Sequence, residues 1–164
     1  MEEYSIRQAG LEDIPTIRNL ADITFRATYA SIITPGQIEY MMDWMYSDAK
    51  LREELSSGVT YLLLEVKGRS VGYVSFSEQS PALYHLHKIY FLPHCQGKGY
   101  GRVLFRAAEA RMRELGAKAF ELNVNRHNKA LDFYRHEGMS SARTGDFDIG
   151  GGFYMNDYIM RKDL

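Results

Sequence analysis

The amino-acid sequence predicts an α/β (α+β) fold: a mixed, mostly antiparallel twisted sheet of about seven strands with helices on both faces. Three observations lead there. Apolar and polar residues alternate over 4–9, whereas over 11–30 Leu11, Ile14, Ile17, Leu20 and Ala27 recur at the spacing of an amphipathic helix. Strand-like runs at 59–66, 70–77 and 83–92 are separated by Lys67-Gly68-Arg69 and by the region around Pro81, which read as hairpin turns. Gly150-Gly151-Gly152 supplies another such turn between runs at 142–149 and 153–160. No linker, repeat or low-complexity segment interrupts this pattern, so 1–164 reads as a single domain, with 45% hydrophobic residues to fill its core.

Taken in order, the opening strand leads into the helix at 11–30, which Thr34-Pro35-Gly36 breaks. Helical stretches at 37–46 and 48–55 precede the three hairpin-linked strands. A helix at 99–115 stops at Gly116, a residue suited to a left-handed cap. A strand at 119–125, a helix at 128–137 and the last hairpin complete the chain.

Composition excludes several classes. With 20 basic and 21 acidic side chains the net charge is −1, which gives no general attraction to nucleic acid or anionic membrane. A single cysteine leaves no disulfide framework within the chain and suits a reducing compartment. The start Met1-Glu2-Glu3-Tyr4 lacks the regions of a signal peptide, and no apolar run approaches the roughly 20 residues that span a bilayer. The expectation is a cytoplasmic protein with neither nucleic-acid nor membrane partners.

The most informative stretch runs from Ile89 to Arg102: an apolar strand end, Pro93, then Gln96-Gly97-Lys98-Gly99-Tyr100-Gly101 opening a helix. Glycines let backbone N–H groups point inward, and a helix start adds partial positive charge, so the natural occupant is a phosphate. The nucleotide phosphate loop requires G-x-x-x-x-G-K-[ST], which is absent here. A dinucleotide fingerprint requires G-x-G-x-x-G, whereas Gly101 follows Gly99 too soon, and Glu121 sits at the wrong end of its strand to meet a ribose.

Gln96-x-x-Gly99-x-Gly101 resembles the Q/R-x-x-G-x-G/A signature of the Gcn5-related N-acetyltransferases, where it wraps the pyrophosphate of acetyl-coenzyme A. The resemblance continues through Leu122-Asn123-Val124, Asn128, Ala130 and Phe133-Tyr134-x-x-x-Gly138-Met139, and Tyr4 to Pro15 looks like the family's opening strand and helix. It implies an acetyl-coenzyme A-dependent N-acetyltransferase that needs no metal. Gln96, Gly97, Lys98, Gly99, Tyr100, Gly101 and Arg102 would hold the phosphates, and Ile89, Tyr90 and Phe91 the pantetheine arm and thioester. Asn128 would hold the coenzyme chain, and Tyr134 would protonate the departing thiolate, since a phenol of pKa about 10 is loaded at pH 7. The overall pattern, including Lys88-Ile89-Tyr90 and Asn156-Asp157-Tyr158, looks most like bacterial polyamine-type acetyltransferases, which implies a small amine acceptor. A protein or peptide acceptor, a non-catalytic acetyl-coenzyme A sensor, and a homodimeric state stay open.

Strict alternation over 83–92 puts His85, His87, Ile89 and Phe91 on one face and Tyr84, Leu86, Lys88 and Tyr90 on the other; a bulge, which the family has, would shift this parity. His85-Leu86-His87 is similar in motif and spacing to the paired strand histidines of arylalkylamine N-acetyltransferases, assigned there to amine deprotonation. The chemistry asks for such a base, because neutralising an amine of pKa about 10.4 at pH 7 costs roughly 4–5 kcal/mol. A solvated strand face, core hydrogen bonding and metal binding are the other readings of H-x-H, and Glu78 is the rival base. Cys95 beside the turn invites an acetyl-cysteine route, but no motif places a histidine to activate it, and direct transfer in a ternary complex is the simpler expectation.

Overall fold

Alternation near the start forms β1 (Tyr4–Gln8), the edge of a seven-stranded sheet in a computed structural model that describes residues 3–164. The expected first helix divides into a short 3₁₀ turn, Leu11–Asp13, and α1 (Ile14–Tyr29). The turn is pinned because Asp13 accepts from Gly10 N at 2.9 Å and from both terminal nitrogens of Arg7. Thr34-Pro35-Gly36 both breaks the chain and starts α2 (Pro35–Tyr46), since Thr34 Oγ1 accepts from Gln37 N at 3.1 Å as an N-cap. Ser47 caps α3 (Asp48–Ser56) in the same way.

Strands β2 (Thr60–Val66), β3 (Arg69–Ser80) and β4 (Leu83–Phe91) follow as an antiparallel meander. Then come a 3₁₀ turn at Pro93–Cys95, α4 (Tyr100–Glu114), β5 (Ala119–Asn125), α5 (Ala130–His136), β6 (Ser140–Gly150) and β7 (Phe153–Asp163). Among the described residues the sheet order is β1-β2-β3-β4-β5-β7-β6, parallel only between β4 and β5. This is the mixed, mostly antiparallel sheet that the sequence predicts, and Gly116 at φ +97° ends α4 as expected.

Period-two burial places a core on each face. Leu62, Leu64, Val74 and Phe76 pack beneath α4 and α5, while Tyr61, Leu63 and Tyr73 pack beneath α1, α2 and α3. Across the far end, Glu121 on β5 is 2% exposed and takes both terminal nitrogens of Arg143 on β6, at 2.8 and 3.0 Å.

Two irregularities make the site. The β3–β4 register shifts between the pairs Phe76–Leu86 and Ser75–Lys88, which bulges β4 at His87. Before the bulge Tyr84 and Leu86 face α4; after it Ile89 and Phe91 do, and Lys88 and Tyr90 turn toward α1–α3. Strict alternation over 83–92 is therefore corrected: His85 and His87 share a side with Lys88 and Tyr90, not with Ile89 and Phe91. Pairing of β4 with β5 also stops after His85 opposite Glu121, so beyond that point the strands diverge and 86–91 has no strand partner on that edge among the described residues.

Candidate active site

The gap between the diverging strands is a cavity of about 430 Å³, bounded by the end of α1, β4, the end of β5 and the start of α5. Ile89, Tyr90, Phe91, Gln96, Asn128 and Tyr134 all line it. At its mouth Gly97 and Gly99 hold φ of +78° and +82°, the left-handed region glycine enters without strain, and Gly99 is the N-cap of α4. The first N–H groups of a helix have no acceptor within it, and they carry the positive end of its dipole. A Cβ at Gly101 would stand 3.2 Å from Phe91, so this glycine lets α4 begin close against β4. These features fit a ligand with phosphates and a long slender arm.

The remaining turn residues divide by environment. The Tyr100 ring is buried in the core under α4, so only its backbone is available to a ligand. Lys98 is exposed, and Arg102 and Arg106 place Nε at 3.6 and 3.3 Å from the same oxygen of Glu137, which holds two guanidinium groups beside the helix start. Asn128 uses Oδ1 to accept from Ala130 N at 2.9 Å, closing an Asx turn ahead of α5 while lining the cleft. Tyr134 is buried against Phe105 and Phe133 with its side chain at the cleft floor, and desolvation raises its pKa, so it keeps its proton at neutral pH.

A second cavity, of about 450 Å³, opens toward α1, α2 and the β6–β7 hairpin. The two share Tyr29, His87, Lys88, Tyr90 and Asn123. Here the bulge brings the histidines together, with ring centroids 4.9 Å apart. His87 Nε2 lies 2.7 Å from Ser77 Oγ, and His85 Nδ1 lies 3.1 Å from Gln79 Oε1. Desolvation by the cleft walls, with His85 and Lys88 adding repulsion, lowers His87 to about 4; desolvation also lowers His85. Both rings are neutral at pH 7.

Glu78 is not brought to this place. Its carboxylate accepts from Ala82 N at 3.2 Å, closing the β3–β4 turn where Ala82 takes φ +63°, and it lines neither cavity. Cys95 is buried in the core under α4, with no exposed thiol beside the glycine turn.

Sequence reasoning gave no site role to Lys88 or Asp157, which line the second cavity with Tyr29. Lys88 is 5% exposed; its Nζ donates to Tyr61 Oη at 2.7 Å, Met45 O at 3.2 Å and Glu54 at 3.4 Å, and lies 4.1 Å from the Tyr46 ring centroid. Burial outweighs Glu54 and lowers its pKa to about 8. The readable signal was a lysine in an otherwise apolar strand, next to a pair of histidines.

The family model of the acetyltransferase (GNAT) family matches residues 18–139, which carry the cleft, the glycine turn and α5. The chain belongs to the GNAT acetyltransferase family. It is similar to the spermidine N(1)-acetyltransferase of Thermoplasma acidophilum, at 28% identity over 163 residues that cover 96% of this chain and 95% of that protein. An uncharacterized N-acetyltransferase in the pepI 3′ region of Lactobacillus delbrueckii subsp. lactis is 25% identical over 173 residues, covering 100% and 99% of the two chains. Among solved structures, the PaiA N-acetyltransferase of T. acidophilum in complex with coenzyme A superposes with a TM-score of 0.85 at 25% identity, covering 99% of each chain. A GCN5-related N-acetyltransferase from Rhodopseudomonas palustris has the same TM-score at 21% identity, over 100% of this chain and 98% of that one, and shares the fold. This GNAT chain is accordingly an acetyl-coenzyme A-dependent N-acetyltransferase.

Proposed function

We propose that this enzyme acetylates a small primary amine, a polyamine being the favoured class, by direct attack within a ternary complex. The observation that carries the proposal is the pair of cavities meeting through the gap between β4 and β5 and sharing Tyr29, His87, Lys88, Tyr90 and Asn123. One takes the donor. The other takes the acceptor, with Phe25, Trp44 and Phe147 offering aromatic faces and Glu54, Asp148 and Asp157 outnumbering Lys88 in charge, which suits an ammonium group. The similar spermidine N(1)-acetyltransferase supports the same acceptor class.

In this reading the glycine turn and α4 hold the pyrophosphate, and Asn128 and the free edge of β4 hold the arm. N–H groups of that edge polarise the thioester carbonyl as the amine attacks. The amine gives up its proton to water beside His87; the ring, neutral because its pKa is lowered to about 4, can accept a hydrogen bond from that water but does not hold the proton itself. The thiolate leaves with a proton from Tyr134, whose raised pKa keeps it loaded. A panel of acceptors with acetyl-coenzyme A, scored by released thiol, tests this. Turnover with spermidine, tryptamine or an aminoglycoside is expected; turnover confined to peptide N-termini would overturn the acceptor class.

A further inference from the structure

Three carboxylates line the second cavity, and they are not alike. Glu54 is occupied by Tyr61 Oη at 2.8 Å and by Lys88 at 3.4 Å. Asp148 is exposed and accepts from Gly150 N at 2.8 Å within the hairpin turn. Asp157, on β7 opposite Asn125, is 5% exposed; one of its oxygens accepts from Asn123 Nδ2 at a long 3.4 Å, and Oδ1 has no hydrogen-bond partner among the described residues. Arg126, the cation that acts on it, pairs through a terminal nitrogen with Asp146 at 2.9 Å and makes no hydrogen bond to Asp157. A buried carboxylate oxygen without a partner is costly, and the cost is recovered only when a donor arrives. Its neighbour Asn123 lines both cavities, which puts Asp157 one side chain from the place where they meet.

We propose that Asp157 Oδ1 receives the ammonium group of the acceptor and makes the enzyme selective for amines that are cationic in solution. The proposal rests on the reading that the second cavity is the acceptor site, and it adds the residue that recognises the charge. The aromatic and methionine walls around it, Phe25, Met41 and Met155 among them, exclude water from the pair and strengthen it. Substituting Asp157→Asn keeps an oxygen for Asn123 and puts a neutral NH2 donor where Oδ1 stands, removing the charge and the acceptor together.

The test measures kcat/KM for a primary alkylamine and for an arylamine that is neutral at pH 7.5, with wild-type enzyme and Asp157→Asn. The expected result is a loss of about 30-fold or more with the alkylamine, less than about threefold with the arylamine, and an unchanged KM for acetyl-coenzyme A. Equal losses for both acceptors, or none for either, would overturn the proposal. A binding measurement separates it from the reading it rests on. In calorimetry on the coenzyme A-loaded protein, a primary alkylammonium ion should bind about tenfold more weakly to Asp157→Asn than to wild type, while the neutral alcohol of the same chain is indifferent to the substitution. That pattern in a protein that acetylates no small amine would sustain the cation site and reject the amine-acetyltransferase reading; indifference of the cation would reject the site itself.

Discussion

Tyr134 shows how burial decides a role at the scale of one side chain. Its phenol lies among Phe105, Phe133 and the cleft floor, where the ionised form loses hydration, so the group keeps its proton at neutral pH, as the general-acid role we propose requires. Tyr134→Phe keeps the packing and removes that proton. Steady-state kinetics should show kcat reduced by about 10²- to 10⁴-fold, with KM for acetyl-coenzyme A within about threefold of wild type. Unaltered turnover would mean that the thiolate draws its proton from water. Asp157 illustrates the opposite balance. Burial raises its carboxyl above the usual range, so the charged form that we assign to substrate binding is a burden on the empty fold. Asp157→Asn should therefore raise the thermal midpoint of the apo protein by about 2–4 °C, equivalent to about 1 kcal/mol for a chain of this size, while impairing amine use. A lowered midpoint would show that the carboxylate has a stabilising partner in the apo state.

At the scale of the element, the glycine turn and the bulged strand were legible to different degrees. The turn announces itself because left-handed backbone is written in glycine: Gly97 and Gly99 both take positive φ, and the sequence alone separates this pattern from the two nucleotide motifs. Gly97 gives the cleaner experiment, since a Cβ there meets nothing within 4 Å and the only penalty is backbone strain. Gly97→Ala should cost about 1 kcal/mol in that conformation and weaken coenzyme A about fivefold by calorimetry, whereas Gly97→Asn, which tolerates left-handed backbone, should weaken it less than about twofold. Equal affinity for all three would show that the turn does not shape the phosphate site. The bulge at His87 leaves no such mark, because one extra residue in a strand changes pairing without requiring a special side chain. Alternation alone consequently put Ile89 and Phe91 beside the histidines, and it concealed that Lys88 faces the same cavity as His85.

Across the whole molecule, the fold was legible because each element carries a local signal: hairpin turns, period-two burial, Thr34 and Gly116 at helix ends. The junction of the two cavities was not, because Lys88 and Asp157 come from β4 and β7 and meet the end of α1 only through sheet order and the splay of β4 from β5. The same distribution of buried groups fixes how stability follows pH. His87 has a folded pKa of about 4 against an ordinary 6.5, so the unfolded chain binds the extra proton and stability is lost as pH falls from about 6.5 toward 4. Arg7 holds Asp13 and Arg143 holds Glu121 below the ordinary carboxyl range, and these pairs add further loss below about 4.5. Asp157 acts with the opposite sign and softens that fall. On the alkaline side Lys88, at about 8 in the fold and about 10.4 unfolded, makes stability rise through that interval. Desolvation raises Tyr46, Tyr73 and Tyr90, so stability is lost once unfolded tyrosines ionise above about 10. Thermal midpoints measured from pH 4 to 10.5 should therefore climb to a maximum between about 8 and 10. His87→Gln should flatten the climb between 4 and 6.5 and leave the alkaline limb unchanged. A maximum below pH 7 would show that Lys88 and His87 are hydrated more fully than their packing implies.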